Sequence, residues 1–213
     1  MYPNIQIAIN TPEQAIMFAE NVIVILCTFA VFVAVLIDFS EFQGRTFVKK
    51  EKKSIVETGT MFLFFFLFYS LIKFSIGRLY TGSFSFKILL EIIGCLILVF
   101  GCFVNVKGRF NLGKNWSNQI KIYKDHYFVS SGMYKFVRHP LYASIIWMFF
   151  GASLIYLNYM AFISNILIFI PFMYYRAKQE EKMLSKEFKE YKNYKIRVGM
   201  FFPKLLKKYY DKI

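Results

Sequence analysis

Two short stretches of this chain carry the side chains best suited to chemistry. The first is Gly132-Met133-Tyr134-Lys135-Phe136-Val137-Arg138-His139-Pro140-Leu141-Tyr142. Proline favours the first turn of a helix, where its missing N–H is not needed, so Pro140 marks a helix start with Arg138 and His139 at its mouth. Unpaired N–H groups and the positive end of the helix dipole favour an anion there. Tyr142, three residues beyond His139, falls on the same side of that helix. An arginine, a histidine and a helix start together suit a carboxylate or a phosphate. The competing reading is that Arg138 snorkels to lipid phosphate and His139 only caps the helix.

The second stretch is Arg176 followed by Glu180 and Glu181. These acids stand out in a chain with 27 Lys and Arg against 13 Asp and Glu, a net charge of +14. Adjacent helical residues point about 100° apart, so the two carboxylates cannot serve one ligand equally. One can hold a cation of a ligand while the other pairs with Arg176 or Arg138. The plainer alternative makes both of them surface partners of lysines, worth at most about 1 kcal/mol each. Brought side by side, the two stretches would form an anion site next to a cation site, which matches a zwitterion.

Other polar residues signal less. Glu20, Glu57 and Glu91 lie at the ends of apolar segments, where glutamate starts helices or pairs with Lys and Arg. His126 reads as a solvated loop residue. Two histidines without grouped carboxylates give no metal site. Cys27, Cys95 and Cys102 sit inside apolar runs and read as small buried residues. There is no glycine-rich dinucleotide fingerprint, phosphate-binding loop or Ser-His-Asp signature.

The elements that must position these residues are membrane helices. Hydrophobic residues make up 57% of the 213 and charged residues 19%, against about 45–50% and 25% in soluble domains. From Pro140 to Tyr175 there are 36 residues without a charge. A membrane helix needs about 20 apolar residues. The chain accordingly reads as all-α, an integral membrane bundle of about five helices: Ala15–Ile37, Ile55–Ile76, Ile88–Val106, and a hairpin of about Pro140–Tyr156 and Met160–Tyr175. Leu157-Asn158-Tyr159 supplies the turn. After Arg176, Leu184, Phe188, Tyr191 and Val198 recur at helical spacing with lysines on other faces, as in an amphipathic helix on the membrane surface.

Basic residues set the expected orientation. The first loop holds five, the third seven and the tail from Arg176 twelve, while the second loop holds two. The positive-inside rule puts the loops after helices one and three and the C-terminus in the cytoplasm and the N-terminus outside. The positive charge is then explained by anionic lipid, and no nucleic-acid partner is expected. Residues 1–20 hold no Lys or Arg, and no cleaved leader is expected.

Three motifs in order carry a family resemblance. The string Gly132 to Tyr142 resembles the G-x-Y-x-x-x-R-H-P-x-Y signature of the isoprenylcysteine carboxyl methyltransferase and phospholipid methyltransferase superfamily. Arg176, Glu180-Glu181, Leu184, Phe188, Tyr191, Tyr194, Arg197-Val198 and Pro203 resemble its closing segment. Leu112-Gly113-Lys114-Asn115-Trp116-Ser117 is similar to its LG-x-x-W stretch. The likeness runs over roughly 88–205, which divides the chain into 1–87, two N-terminal membrane helices, and 88–213, a methyltransferase core.

The resemblance implies an S-adenosylmethionine-dependent methyltransferase whose acceptor is lipid-like or prenylated and enters from the membrane. Carried over residue by residue, it gives Gly132, Tyr134, His139, Tyr142, Glu180 and Glu181 as cofactor positions. Arg138 or Arg197 would orient an acceptor carboxylate. Ser144 departs from the family, in which many relatives have glycine. Prenylcysteine carboxylate is the leading acceptor. Phospholipid N-methylation and the NADPH-dependent membrane reductases are the alternatives, although the latter usually carry an aspartate and cysteine where this chain has Glu180-Glu181.

Overall fold

The computed structural model describes residues 11–42, 48–52, 55–113, 120–123 and 127–204. In chain order its elements are α1 (Pro12–Phe42), β1 (Val48–Lys52), α2 (Ile55–Lys73), α3 (Phe84–Leu112) and β2 (Ile120–Tyr123). A 3-10 turn (Gly132–Lys135), α4 (Pro140–Ile155), α5 (Tyr159–Ser164), α6 (Ile170–Glu187) and α7 (Tyr191–Arg197) follow. The helices within Pro12–Asp38, Phe84–Leu112 and Tyr159–Glu187 are long and apolar enough to cross a membrane, and Gly59–Lys73 and Pro140–Ile155 are shorter apolar helices. Phe62, Phe66, Leu96, Phe103 and Leu167 are exposed on their outer faces, as lipid-facing residues are. The protein is an integral membrane helical bundle.

Helices α3 and α4 form its centre, packed backbone to backbone. A Cβ on Gly94 would stand 2.7 Å from the Gly151 carbonyl oxygen, and one on Gly151 would stand 2.6 Å from that of Gly94. One on Gly101 would stand 2.9 Å from the Ser144 carbonyl oxygen. Small residues are the usual device for bringing membrane helices together where lipid gives no hydrophobic drive. Polar bonds reinforce the contact. Arg109 pairs with Asp38 of α1 at 2.5 Å and donates to Asn105 Oδ1 at 2.9 Å. Asn105 Nδ2 in turn donates to Ser144 Oγ of α4 at 2.8 Å. Phe64 and Phe68 of α2 pack on Phe149 of α4, and Phe64 stacks on Phe169 at 4.7 Å between ring centroids.

Two features tie loops together, one at each rim. Strands β1 and β2 pair antiparallel, with Lys50 opposite Ile122 and Lys52 opposite Ile120, so the first and third loops meet on one side. On the other side Leu79 N–H donates to the Leu157 carbonyl at 2.6 Å, and Tyr159 N–H donates to that of Gly77 at 2.9 Å. The helical reading did not contain this ribbon.

The hairpin differs from expectation in its second arm. The turn is where expected: Leu157 adopts φ 47°, and Asn158 Oδ1 caps α5 by accepting from Ala161 N–H at 2.8 Å. From Tyr159 the helix does not stop near Tyr175 but runs to Glu187, through a π segment at Asn165–Phe169. Pro171 lacks the N–H that an α-helix requires there, and a π-bulge absorbs such a defect. The polar residues past Tyr175 do not end the helix, because Arg176, Ala177 and Glu181 are buried against protein. The separate amphipathic tail helix is therefore corrected: its first half continues the hairpin, and after the extended Phe188 only the short α7 follows. Val198 is extended as well, because the next residues run alongside the start of α4.

Candidate functional site

The site is assembled where α4 begins and α6 ends. Arg138 N–H donates to the Gly199 carbonyl at 2.8 Å and His139 N–H to that of Met200 at 3.1 Å. The segment after α7 is thereby strapped to the helix mouth. Asn111 Oδ1 at the end of α3 accepts from Met133 N–H at 2.9 Å and fixes the preceding turn. Gly132 there has φ 60° and lies hard against Asn111, so a side chain has neither room nor a favourable backbone.

Within this frame cations and anions alternate. Arg138 Nε and Nη2 each donate to Glu181 Oε1 at 2.8 Å, a buried pair. Its Nη1 donates to the carbonyls of Lys195 and Val198. Lys195 Nζ meets Glu181 Oε2 at 2.8 Å. His139 lies between the two acids, with Nε2 3.4 Å from Glu181 Oε1 and Nδ1 3.5 Å from Glu180 Oε2. A neutral imidazole has one N–H; only the imidazolium can donate to both carboxylates. Burial opposes that charge, but the hydrogen bonds and charges of Glu180 and Glu181 outweigh it and hold the imidazole pKa above its ordinary value.

Tyr142 stacks on His139 with ring planes 9° apart, and its hydroxyl accepts from Arg176 Nε at 3.1 Å. Arg176 also reaches Met61 of α2. Tyr134 is buried, and its carbonyl accepts from the Tyr194 hydroxyl at 2.5 Å. The divergent aim of the two acids is as the helical repeat requires: Glu181 points inward and is 1% exposed, while Glu180 keeps 33% of its side chain open. The cluster is thus a polar floor with one open carboxylate.

Of the sequence-derived positions, Arg138, His139, Tyr142, Glu180 and Glu181 come together. Gly132 and Tyr134 sit in the supporting turn. Arg197 is not brought in; it is exposed at the end of α7. Arg176 joins the cluster by its own contact with Tyr142, whereas the sequence reading offered it only as a partner for one of the two acids. Ser144 turns its hydroxyl to α3 and Leu141, as a helix fastener. Glu20 and Glu91 lie on the opposite rim. The side chain of Glu57 and the residues His126 and Lys114–Ser117 lie outside the described residues. No group of three or more His, Cys, Asp or Glu suited to a metal occurs among the described residues.

Residues 92–186, which hold α3, α4 and both arms of the site, match the model of the isoprenylcysteine carboxyl methyltransferase (ICMT) family. The core resembles the ICMT family. The chain is 31% identical over 129 residues, 59% of its length, to the protein-S-isoprenylcysteine O-methyltransferase of Saccharomyces cerevisiae, covering 54% of that protein. It is 28% identical over 137 residues to the Homo sapiens protein of the same name, covering 48% of it. It thus spans about half the length of the curated relatives it matches. Its fold matches a solved structure described as the eukaryotic intramembrane Ras methyltransferase ICMT, with a TM-score of 0.52 and 22% identity, over 71% of this chain and 53% of that one. The ICMT-like membrane fold expected from the motifs is borne out.

Proposed function

We propose that this chain is a membrane methyltransferase that moves a methyl group from S-adenosylmethionine to the carboxylate of a prenylated cysteine held in the bilayer. The observation that carries the reading is the buried His139 between Glu180 and Glu181, set at a helix mouth inside the segment that matches the ICMT family. Names of the curated relatives support the acceptor class.

The donor set suits the cofactor. Its ammonium needs a carboxylate with an open side, which Glu180 offers, and its carboxylate suits the cationic helix mouth. When bound, S-adenosylmethionine supplies an electrophilic methyl on a sulfonium. His139, Tyr142 and Glu180 would meet it, and Glu181 and Tyr134 would hold these in place. Gly132 would shape the turn that closes over them. Arg138 acts as a positioning residue, since its guanidinium is already committed to Glu181 and two carbonyls. Arg176, deeper on α6 and against Tyr142, is then better placed than Arg138 or Arg197 to align the acceptor carboxylate. A carboxylate is already an anion at neutral pH, so no base is required; alignment and exclusion of water do the work.

In this reading residues 88–213 are the catalytic core and 1–87 the helices that complete its membrane flank. The site faces the cytoplasm, because the first and third loops joined by the ribbon and the tail hold 24 of the 27 Lys and Arg. Thermal shift of the detergent-solubilised chain tests the cofactor: S-adenosylhomocysteine stabilises it and NADPH does not. Labelled-methyl transfer to a synthetic farnesylated cysteine, but not to its methyl ester, tests the acceptor. Stabilisation by NADPH alone overturns the proposal.

A further inference from the structure

Tyr191 and Tyr194 are the buried residues of α7, and Phe128 packs edge-on against both rings, at 5.7 and 5.1 Å between centroids. Their hydroxyls differ. That of Tyr194 donates to the Tyr134 carbonyl. That of Tyr191, a residue only 2% exposed, is buried with no hydrogen-bond partner among the described residues. A phenol can both donate and accept, and an unpaired one is costly to keep in an interior.

The surroundings of that hydroxyl belong to the floor of the site. Lys195 follows Tyr191 by about one helical turn, so the two share a face of α7. On that face Lys195 Nζ meets Glu181 Oε2 at 2.8 Å, and the Lys195 carbonyl accepts from Arg138 Nη1 at 3.1 Å. The charged groups that bear on the Tyr191 hydroxyl are accordingly Glu181, Glu180 and Arg138. Arg138 and Glu181 are already committed to each other and to Lys195. Glu180 is not enclosed in this way and keeps 33% of its side chain open.

We propose that Tyr191 is a further cofactor-binding residue, with its hydroxyl held for the amino-acid end of S-adenosylmethionine beside Glu180. The inference rests on the methyltransferase reading above. That end carries an ammonium and a carboxylate, so it presents a donor and an acceptor to a group that can be either. Glu180 answers the ammonium by charge. Tyr191 adds a neutral hydrogen bond without bringing another charge into a cluster that is already densely paired.

Tyr191→Phe removes only the oxygen and keeps the ring contacts. In the detergent-solubilised full chain, S-adenosylhomocysteine is expected to bind this variant about tenfold more weakly than the parent. Methylthioadenosine, which lacks the amino-acid end, should bind both alike. Without ligand, Tyr191→Phe should melt at or above the parent, because an unpaired buried oxygen has gone. Tyr194→Phe should melt below it, since that hydroxyl is bonded. If Tyr191→Phe melts as low as Tyr194→Phe, the hydroxyl already has a partner within the fold and the assignment is overturned. Undiminished binding of S-adenosylhomocysteine, or equal weakening of both nucleosides, overturns it as well. In these cases a parent that responds to S-adenosylhomocysteine keeps the methyltransferase reading intact. A parent without that response overturns the reading itself, and the role of Tyr191 with it.

Discussion

The two rims of this bundle use the same residue types under opposite bookkeeping. At the rim of His139, Glu181 receives Arg138, Lys195 and His139, and is almost fully enclosed. At the other, Glu91 is also buried, but its ion pair is a long 3.9 Å and reaches the partly exposed Lys87. In the first case charge is part of the fold: the pairs join α4, α6 and the strap after α7. In the second, the charged groups line a cavity and pair loosely. Removing an acid should therefore harm the first rim far more than the second.

The strongest test of that contrast is Glu181→Gln. It leaves Arg138 buried and underpaired, and breaking such a pair costs about 3–5 kcal/mol. A large fall in melting temperature is expected, with partial recovery in the double variant Arg138→Met/Glu181→Gln. If the single variant melts like the parent, Glu181 is not part of the fold. Next in size is Gly101→Val. Its added atoms must push α4 away, and over-packing of this sort costs about 1–3 kcal/mol. Loss of melting temperature together with weaker S-adenosylhomocysteine binding is expected, since α4 carries the helix mouth.

His139 sharpens the comparison through pH. Its folded pKa is raised, so its stabilisation is complete below the ordinary imidazole value of 6.5 and is lost as pH rises through the folded value. Melting temperature should fall with pH across that window in the parent, and the slope should flatten in His139→Gln. An unchanged slope would place the titrating group elsewhere. Glu91→Gln, assayed in detergent, is expected to lower the melting temperature far less than Glu181→Gln, because its ion pair is loose; an equal fall would mean that both rims depend on their acids alike. The smallest effect belongs to Arg197→Gln, an exposed substitution expected within about 0.5 kcal/mol, with methyl transfer retained. Abolished transfer with intact cofactor binding would return Arg197 to the acceptor.

Much of this was legible in the chain itself. The apolar runs dictated a helical membrane protein, because a bilayer admits few other structures. Pro140 and the Leu157-Asn158-Tyr159 turn marked helix ends through local chemistry alone. The same holds for Arg138, His139, Tyr142, Glu180 and Glu181, whose residue types and fixed spacings announced a site before any contact was known. Burial could not be read that way. Arg176 and Glu181 look like the start of a solvated tail, and only their packing against α4 and the strap turns that stretch into the end of a membrane helix. Arg138 looks like a ligand-binding arginine until the carbonyls of Lys195 and Val198, some 60 residues on, claim its donors. Glu20 and Glu91 are 71 residues apart in the chain, so nothing local relates them. Spacing along one helix fixes direction within that helix, whereas pairing between helices depends on how closely the glycines of α3 and α4 let the backbones approach, and tertiary structure alone decided that.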